Sequence, residues 1–282
     1  MSKYRGFKPE WEQTPPPPDS FRSIFKWGDP DEFKEPNERL FALMKETFGL
    51  DDSDFHEKEH EGREPVPDSV PSRLPSRHVE AFRRIVGEED VALDTYSRLP
   101  GAYRYTRWDL YRLRERIMEN LPEAVLYPDT HTEIRAIVRY CAEHGIPTTV
   151  YGGGSSVTRG VEPYQGGITL DMRAHFNRVL DFNEADQTVT VQSGISGPAL
   201  EEALNSAPER LNARRRYTCG HFPQSFEYST VGGWVVTRGA GQNSTYYGNI
   251  RDLVMGQEYE TPQGTVHSYG LPAHAVGPDL DE

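Results

Sequence analysis

The sequence lacks three features that would each assign the protein to a broad class. No apolar run approaches the roughly 20 residues that span a bilayer, and the first residues lack the apolar core of a secretion signal. Only Cys141 and Cys219 occur in 282 residues, which excludes a disulfide scaffold and fits a reducing compartment. The net charge of −13 argues against a nucleic-acid binder and a polybasic membrane anchor. We therefore expect a cytoplasmic protein with reduced thiols.

The composition predicts that part of the chain lies outside a hydrophobic core, because the mean hydropathy is −0.72. Residues 1–35 contain the proline run Pro15 to Pro18 and scattered aromatics, which predict an extended arm against the main body. Apolar side chains at helical spacing predict a helix over 37–48, and Gly49 is a stop signal.

An acidic, proline-rich stretch covers residues 51–75. It contains His56-Glu57-Lys58-Glu59-His60, which formally matches the zinc-protease pattern H-E-x-x-H. A metal site would need a helix with a buried face, and the flanking residues here are almost all charged. We favour a solvated, mobile linker over a metal site and predict no bound metal.

Regular alternation of strand and helix patterns begins near residue 120. Thr130 to Glu133 forms a capping box, apolar residues follow at helical spacing, and Gly145 ends that helix. With strands at 124–128 and 146–150, the pattern predicts a β-α-β unit. The other predicted elements are helices over 78–87, 106–120 and 197–205, the last capped by Ser196, strands at 167–172 and 187–192, and a hairpin of 253–260 with 264–269.

A glycine-rich segment follows the strand at 146–150 and is the first candidate binding site. Its residues are Val150, Tyr151, Gly152, Gly153, Gly154, Ser155, Ser156 and Val157. Such a turn aligns backbone N–H groups into an anion-binding concavity, while the serines add donors. The Walker phosphate loop and the G-x-G-x-x-G fingerprint are both absent. The residues alone leave two alternatives open, a phosphate-binding loop and a plain turn.

A second glycine-rich segment, residues 220–241, combines small, hydroxylated and apolar side chains with His221 and Arg238. It has too many glycines for a core strand and is too apolar for a free linker. Its composition suits a buried loop around a large planar ligand. An irregular, tightly packed turn is the alternative.

The order of these segments resembles the FAD domain of the vanillyl-alcohol oxidase and para-cresol methylhydroxylase superfamily. Within it, the chain is similar to alkyldihydroxyacetonephosphate synthases and bacterial FAD-linked oxidases. The resemblance covers most of residues 100–270 and is looser over 21–50. It is carried by Ile146 to Val157, Gly220 to Trp234, Thr237-Arg238 and Tyr247 to Val254, with Asp171-Met172, Gly194-Ile195 and Lys26-Trp27-Gly28.

The resemblance implies an α+β, para-cresol methylhydroxylase-like FAD-binding fold of two subdomains, preceded by a helical, partly extended N-terminal region. The implied division is 1–120 for that region and 121–282 for the FAD-binding domain. FAD would be non-covalent, because the glycine loop contains neither His nor Cys. The implied cofactor residues are Val150 to Val157, His221, Gln224, Ser225, Ser229, Thr230, Gly232, Gly233, Thr237, Arg238, Gly239 and Ala240. His221 would either lie near the flavin or make a structural hydrogen bond.

The resemblance also leaves the reaction open. It implies the FAD-binding portion of a flavoenzyme, either in ether-lipid synthesis or among FAD-linked oxidoreductases. The alternatives are a 2-hydroxy-acid oxidase or dehydrogenase of glycolate or D-lactate type and a non-catalytic FAD-binding subunit. The family continues beyond the position of Glu282 into a cap domain that carries its catalytic residues. We therefore expect a fragment, or a second chain or homodimer that completes the site, acting on a small-molecule or lipid substrate in the cytoplasm or at a membrane surface.

Gln224 is a departure from the family pattern, because it stands where the family has an Asp. The substitution removes a charge beside the cofactor and puts that contact in doubt.

Overall fold

The computed structural model describes residues 17–24, 37–55 and 62–268. The His56–His60 motif and most of the predicted arm over 1–35 lie outside these residues. The described helices are α1 (Phe21–Ile24), α2 (Glu38–Phe48), α3 (Ser76–Val86), α4 (Thr95–Arg98), α5 (Arg107–Arg114), α6 (His131–His144), α7 (Gly197–Asn205), α8 (Ala207–Arg210), α9 (Val231–Val236), α10 (Ser244–Tyr247) and α11 (Ile250–Leu253). The described strands are β1 (Val91–Ala92), β2 (Ala124–Leu126), β3 (Thr148–Tyr151), β4 (Ile168–Asp171), β5 (Val179–Asn183), β6 (Thr188–Val191), β7 (Glu258–Thr261) and β8 (Gly264–His267).

A four-stranded sheet of order β1-β2-β4-β3 forms the centre of the first layer. Strands β2 and β3 both run parallel to β4, while β1 is antiparallel to β2. The predicted β-α-β unit is therefore present, but β4 lies between its two strands. The sequence pattern did not predict this insertion, because the periodicity of a strand does not specify its neighbours.

Helix α6 forms where the sequence predicted it. The side chain of Thr130 accepts a hydrogen bond from the Glu133 N–H, and the Glu133 carboxylate accepts one from the Thr130 N–H. Gly145 ends the helix in the left-handed conformation at φ 64°. The apolar side of α6 packs with α3 on one face of the sheet, and this core buries Phe82, Leu126, Ile137, Ile168 and Leu170.

A second core lies around the β5–β6 hairpin. Ser196 caps α7 as predicted, with its side chain accepting from the Ala199 N–H. Ile195, Leu200, Leu204, Trp234 and Ile250 are buried together in this core. These cores and a third one, which buries Phe21, Leu99, Tyr103 and Leu113, give an α+β fold. We call the four-stranded sheet with its helices the first layer and the core around the β5–β6 hairpin the second layer. Strand β5 was missed in the sequence because only its partner β6 shows clear alternation.

The described residues before 75 depart from two of the predictions. Within the expected extended arm, Phe21–Ile24 is a short helix, and Phe21 is buried. Within the expected mobile linker, Ser20 bridges to Pro65 and the Arg22 N–H donates to the Gly62 carbonyl at 2.8 Å. The expected extended conformation was wrong over Phe21–Ile24, while the expected packing of the arm against the main body is confirmed by buried Phe21. The solvated linker was wrong over residues 62–66, because the two segments supply each other with backbone partners.

Two further predicted boundaries were wrong. Helix α5 ends at Arg114 rather than at 120, since Arg116 and Asn120 adopt positive φ of 55°, which an α-helix does not accommodate. The C-terminal hairpin starts at Glu258 rather than at 253, because Ile250–Leu253 forms α11. None of the described helices is long and apolar enough to cross a membrane.

Arg98 links the N-terminal region to the segment before β2 by hydrogen bonds, and we predict that it contributes strongly to the free energy of unfolding. Only 1% of it is exposed, and its guanidinium donates to the Pro122 and Val70 carbonyls, both at 2.6 Å. Arg98→Met leaves the Pro122 carbonyl unpaired and the Val70 carbonyl with only a 3.4 Å bond from the Thr95 hydroxyl, so we expect a loss of about 3 kcal/mol in the free energy of unfolding, measured with urea. The control Arg139→Met removes an exposed arginine of α6 and should change that energy by less than about 0.5 kcal/mol. Equal effects of the two variants would contradict the prediction.

Candidate functional site

The glycine loop, residues 150–157, leaves the sheet at the carboxyl end of β3. In sheets with parallel strands, ligands bind in the crevice outside the carboxyl ends of the strands. Tyr151 is buried, Gly153 and Gly154 are buried, and Val150 and Val157 are exposed. The loop therefore lies at the edge where such folds form binding sites.

The loop lies directly against the second glycine-rich segment. A Cβ on Gly153 would overlap the carbonyl oxygen of Tyr228 and lie 2.7 Å from Cα of Ser229. A Cβ on Gly152 would overlap the hydroxyl of Thr230. Only glycine fits at these two positions, so the two segments that the sequence singled out form one site.

The facing segment is held in place by helix α9, which was not predicted. The Thr230 side chain caps α9 by accepting from the Gly233 N–H, and Ser196 forms a bridge with Thr230. Ser229 is buried and accepts a 2.6 Å hydrogen bond from the indole N–H of Trp234. The predicted loop thus becomes a short helix from Val231, because a cap and a buried tryptophan overcome the low helix propensity of its two glycines.

The loop presents backbone donors that the described protein does not use. Among the residues that the structure describes, the N–H groups of Gly152 through Ser156 donate to no other protein atom. The Ser156 hydroxyl accepts from the Gly160 N–H at 2.9 Å and so closes the following turn. Five successive free N–H groups beside buried backbone need an acceptor from outside the protein. An anion meets that need.

His221, like the N–H groups of the loop, lacks a hydrogen-bond partner among the described residues. It is 1% exposed, and neither ring nitrogen has a hydrogen-bond partner among the described residues. Its ring lies 4.9 Å from the Trp234 ring, and a Cβ on Gly239 would come 3.6 Å from Nε2. Burial lowers the pKa of His221, so the imidazole is neutral at pH 7. A structural hydrogen bond, one of its two expected roles, is not formed.

The other predicted site residues differ in their burial. Gly232 packs against Ser193, and Ser225 accepts from Ser229 through its carbonyl. Gln224, Thr237, Arg238 and Ala240 are exposed, and none of the hydrogen bonds among the described residues joins them to the glycine loop.

The sequence analysis missed Arg104. Its guanidinium donates to the Tyr151 hydroxyl and faces the Tyr151 ring at 5.8 Å, and its Cδ would lie 2.9 Å from a Cβ on Gly154. The neighbouring Tyr105 is buried and packs on Tyr228 at 5.4 Å between ring centroids. The signal available in the sequence was a lone arginine between two tyrosines, Tyr103 and Tyr105.

A cavity of about 350 Å³ opens beside Tyr151 on the face of the sheet opposite α6. The buried hydroxyl of Thr169 lines it without a partner, and Arg173 closes it while paired with Asp171. Of the predicted site residues it contains only Tyr151. The candidate site is therefore the glycine loop rather than this cavity.

Comparisons with known proteins identify the family of the chain. Residues 122–270 match a family model described as "FAD binding domain". The chain is 29% identical to alkyldihydroxyacetonephosphate synthase of Trypanosoma brucei brucei over 88% of its length and 40% of that protein. It is 34% identical to the Caenorhabditis elegans enzyme of the same name over 66% of the chain and 30% of that protein.

A solved structure titled "alkyldihydroxyacetonephosphate synthase in P1" is also similar, with a TM-score of 0.66 and 28% identity over 71% of the chain and 39% of that structure. The chain thus spans less than half the length of the relatives it matches.

The buried imidazole predicts a pH dependence of stability. Because burial lowers the pKa of His221, the unfolded chain binds this proton more readily than the folded chain. His221 should not affect stability above about pH 6.5, and below it the free energy of unfolding should fall by up to about 1.4 kcal/mol per pH unit. Urea unfolding at two pH values on either side of this threshold should show a smaller loss for His221→Phe than for the unsubstituted chain. Equal losses for the two proteins would contradict the prediction, because His221 would then bind its proton equally well in the folded and the unfolded chain.

Proposed function

The chain belongs to the FAD binding domain family, whose cofactor is FAD, and from that premise we propose that the glycine loop holds the FAD diphosphate. The proposal is supported by one observation above all, the free N–H groups of Gly152 through Ser156. A diphosphate carries enough acceptor oxygens for all of them, and successive N–H groups in such a turn form an anion-binding concavity. The residues present therefore fit the cofactor.

The facing segment would line the remainder of the cofactor. Ser229 and Thr230 lie against the loop, Ser225, Gly232 and Gly233 belong to the same segment, and His221 offers a neutral imidazole whose two nitrogens have no partner among the described residues. We extend the proposal to Thr237, Arg238, Gly239, Ala240 and Gln224, which would reach FAD from the exposed side. Binding would be non-covalent, since residues 150–157 contain no His or Cys.

We assign the chain to the FAD-binding portion of a flavoenzyme. Bound FAD supplies the electron-accepting chemistry, and the protein supplies binding and orientation. The match to residues 122–270 supports a division into an N-terminal region, 1–120, and an FAD-binding domain, 121–282.

The relatives named alkyldihydroxyacetonephosphate synthase favour an ether-lipid synthase with a lipid substrate, acting in the cytoplasm or at a membrane surface. A partner chain or second copy would complete the substrate site. The net charge of −13 speaks against nucleic acid as a partner.

The direct experiment is purification of the chain followed by an absorption spectrum and an FAD titration. Yellow protein, or saturable quenching of flavin fluorescence, supports the proposal, and colourless protein that leaves added FAD unchanged contradicts it. In the assembly that contains this chain, turnover of an acyl-dihydroxyacetone-phosphate would support the synthase. Bleaching of the flavin by 2-hydroxy acids would support the oxidase instead.

Gly153→Ala is predicted to separate the two segments and to weaken FAD binding. The added Cβ overlaps the Tyr228 carbonyl oxygen, so the loop must move away from its partner. We expect FAD affinity to fall about tenfold or more, and the free energy of unfolding to fall by about 1–3 kcal/mol.

The matched control is Gly160→Ala, in the turn that follows the loop. Its Cβ would meet only the Ser156 hydroxyl, at 3.2 Å, and its φ is not positive. It should bind FAD within about twofold of the unsubstituted chain. Equal affinities of the Gly153 and Gly160 variants, measured by fluorescence titration, would contradict the proposed role of the loop.

A further inference from the structure

Arg104 is a partly buried cation at the glycine loop that lacks a carboxylate. Its guanidinium bonds to two phenols, the Tyr151 hydroxyl and the Tyr105 hydroxyl, and its Nε is buried without a hydrogen-bond partner among the described residues. Within the described part of the chain no Asp or Glu side chain lies in ion-pair distance of its guanidinium. Arginine remains protonated in proteins, so the positive charge is permanent.

The backbone around Arg104 is fixed, so the position of this charge is built into the fold. The Asp109 carboxylate accepts from the N–H groups of Arg104 and Thr106, both at 3.3 Å, as part of the capping box of α5. Asp109 is buried and is itself paired with Arg112 at 3.0 Å. It therefore compensates the charge of Arg112 and holds the backbone of residue 104 against the loop.

Other arginines near the site differ from Arg104 in their pairing. The Arg173 guanidinium lies 4.9 Å from the centre of the Tyr151 ring and is bound by the Asp171 carboxylate. Arg112 contacts Asp109, Glu119 and Glu162. The absence of a carboxylate at Arg104 is therefore a property of this position rather than of the region.

Two positive features meet at one place. The free N–H groups of Gly152 through Ser156 and the charge of Arg104 both border Gly154, which turns there at φ 63°. A buried cation and a row of unpaired donors are each unfavourable unless an anion is present. Together they describe an anion site with a full positive charge on one wall.

We propose that Arg104 neutralises the diphosphate of FAD at the glycine loop and thereby sets the preference of this site for a diphosphate-bearing flavin. This inference rests on the proposed function. It adds Arg104, which lies outside the segments that carry the resemblance to the family. Arg104 acts by charge and by its Nε–H and Nη–H donors, while Tyr151 and Tyr105 hold the guanidinium in place. Arginine suits this role because its planar fork matches phosphate oxygens.

The test compares three ligands on the full chain and its variants. FAD and ADP carry the diphosphate, and riboflavin carries only the ring system and ribityl chain. For Arg104→Met we expect FAD and ADP to bind about 10- to 100-fold more weakly, and riboflavin to change by less than about twofold. The affinities of Arg104→Lys for FAD and ADP should lie between those of Arg104→Met and those of the unsubstituted chain, because lysine keeps the charge and lacks the planar guanidinium. Binding is measured by calorimetry and flavin fluorescence.

The matched control is Arg107→Met, which removes the same charge from an exposed arginine three residues away. It should leave all three affinities within about twofold of the unsubstituted chain. Equal FAD and ADP affinities for Arg104→Met and the unsubstituted chain would overturn the inference. A loss for riboflavin as large as that for FAD would overturn it as well, because Arg104 would then act on the flavin ring or on the fold.

A salt titration of the unsubstituted chain keeps the inference testable if Arg104→Met does not fold. ADP affinity should fall between about 0.05 and 0.5 M KCl, since ions screen a charge pair, and constant affinity would overturn the inference. Failure of the unsubstituted chain to bind either FAD or ADP would instead contradict the proposed function itself. Binding of FAD without any effect at Arg104 would leave that function standing and remove only the role of this residue.

Discussion

The close approach of two backbones, at Gly152-Gly153 on one side and at Tyr228 to Thr230 on the other, determines the rest of the site. Side chains at the two glycines would occupy the space of the Tyr228 carbonyl and the Thr230 hydroxyl. The backbones touch at this point, and the N–H groups of Gly152 through Ser156 have no acceptor among the described residues. The contact also joins the sheet layer, which carries the loop through β3, to the second layer, which carries Thr230 as the cap of α9.

The charge at the site is opposite in sign to the net charge of the whole chain. The protein carries a net charge of −13, yet the loop combines free N–H donors with an arginine that no described carboxylate compensates. Carboxylates are abundant elsewhere and pair with the nearby Arg112 and Arg173. A local positive potential in an acidic protein attracts an anionic ligand and disfavours nonspecific binding to polyanions. The charge pattern thus favours a small anion such as a nucleotide diphosphate.

The sequence predicted the elements whose signals are local. The capping box at Thr130, the stop at Gly145 and the cap at Ser196 were confirmed, because each depends on residues a few positions apart. Position in the sheet and pairing in space were not predictable in this way. The insertion of β4 between β2 and β3 and the approach of Arg104 to the loop depend on residues 20 to 47 positions apart. The resemblance to a flavoprotein family, carried by motif order, recovered the cofactor where periodicity could not.

The most direct measurement of the central claim follows the backbone amides of residues 152–156 by NMR while FAD or ADP is added. Amide groups that bind a diphosphate should show the largest chemical-shift changes in the chain and should exchange more slowly with solvent. Smaller changes should appear at Ser229 and Thr230, which lie behind the loop. Unchanged amide signals at 152–156 in the presence of bound FAD would contradict the account, because the cofactor would then be held elsewhere.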